Sequence, residues 1–110
     1  MEPTEIDVDE LAARLDRGAA LIDVRRPDEH EVAHLPEAML IPLDQVPDRL
    51  DDVPPAEEVL VICRSGARSA AACEFLATNG IRAINVAGGM LAWIDSGRPY
   101  LGTDTESANG

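Results

Sequence analysis

The stretch EVLVIC, residues 58–63, constrains the fold most, because five uninterrupted apolar residues follow Glu58. A run this short and this continuously apolar predicts a strand buried on both faces, the kind found in parallel sheets covered by helices above and below. The neighbouring segments agree. AALIDV (19–24) is a second compact apolar run, ended by Arg25, Arg26 and Pro27. MLIPL (39–43) predicts a third short strand, with Pro42 setting it near a strand end or a sheet edge. IRAINV (81–86) predicts a fourth.

Helical patterns separate these runs. Asp7 followed by Glu10 reads as an Asp-type capping box, and Leu11 and Leu15 recur at helical spacing until Gly18 closes the segment. DQVPDRLDDVPP predicts one short helical turn and a proline stop. ARSAAACEFLATNG predicts a helix with Ala72, Phe75, Leu76 and Asn79 on one stripe and Gly80 just past its end. GGMLAWIDSG starts a further helix after a Gly-Gly turn. Strands alternating with helices predict a single α/β domain: a mostly parallel central sheet with helices on both faces. The domain is expected over residues 5–101, with 102–110 an acidic, disordered tail.

Charge narrows the function classes. The 110 residues carry a formal net charge of −12, and all nine basic residues are arginine. Without lysine, Schiff-base chemistry and lysine general bases are excluded. A chain this acidic repels nucleic acid and anionic membrane, so any positive site is a local grouping of arginines. The opening MEPTEIDVDE has no apolar run of the signal-peptide kind, and no stretch approaches the roughly 18 residues that span a bilayer. A cytoplasmic monomer is the expectation, with neither nucleic-acid nor membrane partners.

Against that background VICRSGARSAA (61–71) stands out. Cys63 ends the strand predicted over 58–63, at the carboxyl end where open α/β sheets carry their reactive groups, next to the start of the following helix. The loop Arg64-Ser65-Gly66-Ala67-Arg68 has to turn sharply, and a tight turn at Gly66 points backbone N–H groups inward. Such a nest, close to a helix start and two arginines, lowers a thiol from about 8.5 toward the roughly 3.5–7.5 range. Cys63 is therefore a candidate thiolate nucleophile. Ser69 is expected to do no more than cap or start the helix.

Cys73 falls mid-helix among alanines and reads as packing. Ten helical positions at 1.5 Å rise put the two cysteines roughly 15 Å apart, so no disulfide is expected between them, and their spacing fits no zinc pattern. Cysteine phosphatases use C-x-x-x-x-x-R to clamp a phosphoryl group. Cys63 to Arg68 is one residue shorter, and the smaller ring suits a single extra sulfur atom better than a tetrahedral phosphate.

Three segments together resemble the rhodanese (thiosulfate sulfurtransferase) domain in its single-domain form. LIDVRRPDEHEVAHLPEA (21–38) is similar to the family's D-V-R-x-P-x-E signature, CRSGARS (63–69) to its active loop, and NVAGGMLAWIDSGRP (85–99) to its closing G-G-x-x-x-W segment. The resemblance implies that Cys63 accepts sulfur as a persulfide and that residues 64–68 cradle it, with Arg64 and Arg68 orienting a small anionic donor such as thiosulfate. The sulfur would then pass to a thiol, a sulfur-accepting protein or cyanide, without metal or organic cofactor. The resemblance also implies supporting roles for Asp23 and Arg25, a loop-fixing role for Glu29 and His34, and core packing for Trp93. Two departures accompany it: Ala33 and Glu37 stand where glycine is common, and Ala33 implies a turn of ordinary backbone conformation. A rhodanese-like carrier or interaction module without independent turnover is the alternative, and a phosphatase or arsenate reductase is a third.

Overall fold

The computed structural model describes residues 4–103. Five strands form one sheet: β1 (Glu5–Ile6), β2 (Ala20–Asp23), β3 (Ala38–Leu40), β4 (Val59–Ile62) and β5 (Ala83–Val86). Their order is β1-β5-β4-β2-β3, and every neighbouring pair is parallel. Four helices accompany them: α1 (Val8–Leu15), α2 (Pro27–Val32), α3 (Ala67–Thr78) and α4 (Gly89–Asp95). The stretch expected as one helical turn before a proline stop instead carries two 3₁₀ segments, Leu43–Asp48 and Leu50–Asp52.

Strand parity divides the core into two layers. Leu21, Leu60, Ile62, Ile84 and Val86 point to one face, against Leu11 of α1 and Met90 and Trp93 of α4. Ile22, Val24, Val59, Val61 and Cys63 point to the other, against Ala72 and Leu76 of α3 and Val46 of the first 3₁₀ segment. All four residues of β4 are buried, as a strand covered on both faces requires.

Local signals act where they were expected. Asp7 caps α1 by accepting from the Glu10 N–H at 2.9 Å. Gly80, at φ +78°, ends α3 in a Schellman motif: Ile81 N–H donates to the Leu76 carbonyl and Gly80 N–H to the Ala77 carbonyl.

Three expectations need correction. The two-residue β1 was not anticipated, since its pairing with β5 comes from tertiary contact rather than from a periodic run. Residues 27–32, for which no helix was expected, form α2: Pro27 opens the helix and the Glu29 carboxylate accepts from the Arg26 N–H at 3.1 Å. On α3 the buried stripe is Ser69, Ala72 and Leu76, while Phe75 and Asn79 are exposed. The helix is rotated because a polar residue, Ser69, has partners beneath it, and hydrophobic periodicity does not register a buried serine.

The carboxyl-terminal residues reach back onto α2. Leu101 bridges His34, and the Thr103 N–H donates to the Glu31 carbonyl at 3.1 Å. Residues 104–110 of the expected tail, and 1–3 of the opening stretch, lie outside the described residues. Among the described residues no helix is long and apolar enough to cross a membrane.

Candidate active site

Cys63 comes directly after the last residue of β4, so its side chain keeps the parity of Val59 and Val61 and points toward α3. Gly66, at φ +106°, then reverses the chain in a left-handed conformation that disfavours any side chain, and α3 starts at Ala67. The turn aims three donors at the sulfur: the Gly66 N–H at 3.1 Å, the Ser69 N–H at 3.3 Å and the Ser69 hydroxyl at 3.2 Å. Cys63 is fully buried. Burial pushes the thiol up, but the Ser69 hydroxyl and the amides of Ser69, Gly66 and Ser65 together outweigh it, leaving the thiol below its ordinary value.

The loop is braced from α4 and β5. Met90 N–H donates to the Cys63 carbonyl at 2.9 Å and Leu91 N–H to the Arg64 carbonyl at 3.0 Å. Gly89 permits this approach, because a Cβ there would collide with both carbonyls. Asn85 of β5 is buried and its Nδ2 donates to the Gly66 carbonyl at 3.1 Å.

The arginines divide by partner. Arg25 is buried and clasps the fully buried Asp23: Nη2 to Oδ2 is 2.8 Å and Nε to Oδ1 is 3.0 Å. Its remaining N–H groups reach the Glu29 and Ala33 carbonyls, tying the end of β2 to the end of α2. This places the pair in a bracing role. Arg68 donates both Nη groups to Glu29, at 2.6 and 2.8 Å, so its charge is matched by a carboxylate. The Arg68 hydrogen bonds hold the Glu29 carboxyl down at about 2, against the opposing effect of burial. Arg64, by contrast, is exposed, and among the described residues its guanidinium meets no carboxylate. It lines a cleft of about 280 Å³ whose other walls include Arg25, Asp28, Glu29, Val32 and Leu91.

Of the residues singled out from sequence, Cys63 and the 64–68 loop therefore come together with Arg25 and Asp23 behind them. Arg64 and Arg68 differ in standing: one is open to solvent beside the loop, the other is held by Glu29. Ser69 is more than a helix starter, since Gly66 occupies the cap position and the serine hydroxyl contacts the sulfur. Asn85 was missed altogether. Its signal was present as a polar residue inside the apolar strand AINV, where burial demands hydrogen-bond partners.

The other positions stabilise the surroundings. Ala33 has φ −158°, ordinary extended backbone. His34 bonds the His30 carbonyl through Nδ1 at 2.7 Å and stacks on the His30 ring. Trp93 is buried, with its indole N–H on the Pro99 carbonyl. Cys63 and Cys73 are both free. The helix folds back over the strand, so Cys73 packs against the core layer that contains Cys63, and burial pushes its thiol up to about 12.

Known proteins resemble this chain in sequence and fold. The sequence profile of the rhodanese-like domain matches residues 7–96. A sulfurtransferase of Allochromatium vinosum is 37% identical over 100 residues, which cover 88% of this chain and 94% of that one. A protein of Arabidopsis thaliana named thiosulfate sulfurtransferase 18 is 34% identical over 127 residues, covering 98% and 91%. The crystal structure of a rhodanese-like domain protein from Staphylococcus aureus superposes with a TM-score of 0.77 at 40% identity, covering 82% of this chain and 90% of that one. With a match over most of its length and a cysteine loop built at the end of the central strand, the chain belongs to the rhodanese-like sulfurtransferase family.

Proposed function

We propose that the protein transfers sulfane sulfur through a persulfide on Cys63, loaded by thiosulfate or a related anionic donor. The observation that carries this reading is the convergence of three donors on Sγ. They favour a thiolate without a general base, and among the described residues no histidine bonds the sulfur. The donor is drawn in by Arg64, whose guanidinium meets no carboxylate among the described residues. The Cys63 thiolate bonds to the outer sulfur of thiosulfate, and the sulfur–sulfur bond to sulfite breaks with its electron pair leaving on sulfite. A thiolate or cyanide then takes the outer sulfur and returns Cys63 to the thiolate. Residues 64–68 form the cradle, Asp23 and Arg25 tie the end of β2 to α2 beside it, and no cofactor enters the cycle. We place this activity in the cytoplasm, in a monomer acting on small anionic donors and thiol acceptors.

A carrier role is the second reading, favoured by the complete burial of Cys63. A large acceptor would reach the sulfur only once a docked partner had drawn the loop open. Intact-mass measurement of the wild type and of Cys63→Ser, after thiosulfate and again after cyanide, tests both. Gain of one sulfur by the wild type alone, removed by cyanide, is the expected result. Loading without release to any free acceptor identifies a carrier. No gain in either protein, or turnover of a phosphate ester, overturns the proposal.

A further inference from the structure

The Ser69 hydroxyl has one proton and two acceptors. Its Oγ lies 3.2 Å from Cys63 Sγ and 2.5 Å from Asn85 Oδ1, and both Ser69 and Asn85 are buried. The orientation of the Asn85 amide is settled by its other end. Nδ2 donates to the Gly66 carbonyl and to Glu5 Oε2, each at 3.1 Å, and both partners are acceptors. Oδ1 is therefore the end that faces Ser69.

This geometry matters when the sulfur changes state. As a thiolate, Sγ is a charged acceptor and holds the Ser69 proton. When Sγ bonds to a donor's outer sulfur and the leaving group departs with its electron pair, the negative charge moves to that outer sulfur. Sγ becomes a neutral sulfur with two covalent bonds, a weak acceptor of the thioether kind. A buried hydroxyl proton with no other partner would then be stranded, which is costly.

We propose that Asn85 is a positioning residue that acts through Ser69, taking the Ser69 proton on Oδ1 as a hydrogen bond whenever Sγ is neutral and releasing it when Sγ is a thiolate. The inference rests on the persulfide reading above. Asn85 thus stabilises the neutral-Sγ states, thiol and persulfide, relative to the thiolate. The other groups near the sulfur do not substitute for it, because the Arg68 guanidinium and the amides of Gly66 and Ser69 are donors and cannot accept the hydroxyl proton.

The test is a cycle in the full chain, carrying Cys73→Ala throughout so that one thiol reacts: the parent, Asn85→Ala, Ser69→Ala and the double variant. Two quantities are read: the pH midpoint of alkylation by iodoacetamide, and the persulfide-to-thiol ratio by intact mass at a fixed thiosulfate-to-sulfite ratio. Asn85→Ala is expected to lower the midpoint and, at a pH above that midpoint where the unloaded cysteine is a thiolate, to cut the ratio of persulfide to unloaded protein about three- to tenfold, the worth of one ordinary hydrogen bond. In the Ser69→Ala background it is expected to change neither. Equal changes in both backgrounds, a raised midpoint or no change overturns the proposal, leaving Asn85 as a prop for the Gly66 carbonyl. Asn85→Leu fills the same space without an acceptor and carries the same expectation, so a folding failure of the alanine variant leaves the test standing. If no protein takes up sulfur, the transfer reading fails while the alkylation cycle still reports the coupling between Asn85 and Ser69.

Discussion

At Cys63 two effects compete on one atom, burial against hydrogen bonding, and the donors prevail. Neighbouring Arg64 contributes differently, through charge offered to the solvent side rather than contact with the sulfur. Replacing it should therefore weaken capture of an anionic donor and spare the thiolate. Arg64→Ala is expected to raise the thiosulfate concentration for half-maximal loading about three- to tenfold, on the scale where 1.4 kcal/mol is tenfold. Its alkylation by neutral iodoacetamide should keep the wild-type pH midpoint. A shifted midpoint would show that Arg64 acts on the thiol itself.

Between elements, the contact that joins the α2 and α3 starts is Glu29 with Arg68. Glu29 is folded with its carboxyl near 2 against an ordinary 4.5, so its stabilisation is complete above about pH 4.5 and is lost as pH falls through about 2. Glu29→Gln is expected to cost about 1–2 kcal/mol at pH 7, reduced from the full value of a charge-assisted bond by the partly exposed Arg68. Urea unfolding of the two proteins should give a gap that is constant from pH 7 to pH 5 and closes below pH 4. The turn into α4 offers a second test. Gly89 has φ +55° and faces the Cys63 and Arg64 carbonyls, whereas Gly18 has φ +80° and open space around it. Gly18→Ala is expected to cost about 1 kcal/mol, backbone conformation alone, while Gly89→Ala adds a collision and loses about 3 kcal/mol or more along with sulfur loading. Equal losses would mean that the close approach at Gly89 does not matter.

For the molecule as a whole, a net charge of −12 would oppose the approach of a doubly charged donor such as the thiosulfate proposed above. The field of the whole surface reaches about 30 Å at 0.01 M salt and about 10 Å at 0.1 M, so salt removes the long-range repulsion before the short-range pull of Arg64. Loading by thiosulfate is accordingly expected to become faster between those two ionic strengths, tracked by mass at fixed donor concentration. A rate that falls with salt would show that the arginines of the loop dominate the encounter.

The runs at 58–63, 19–24 and 81–86 were legible as strands because a strand covered on both faces is mostly apolar, and the spacing of strands and helices carried the parallel α/β plan with it. The cysteine loop was legible too, since a glycine between a thiol and an arginine is a local pattern. β1 was too short to show a period, and α2 hid behind a proline that reads equally well as a loop. The pairing of Glu29 with Arg68, 39 residues apart, and of Asn85 with Glu5, 80 apart, has no local trace. Polar partners are chosen by which strand ends meet, so local order decided most of the elements and the cysteine loop, while tertiary packing alone decided that the Ser69 hydroxyl lies between Asn85 and the Cys63 sulfur.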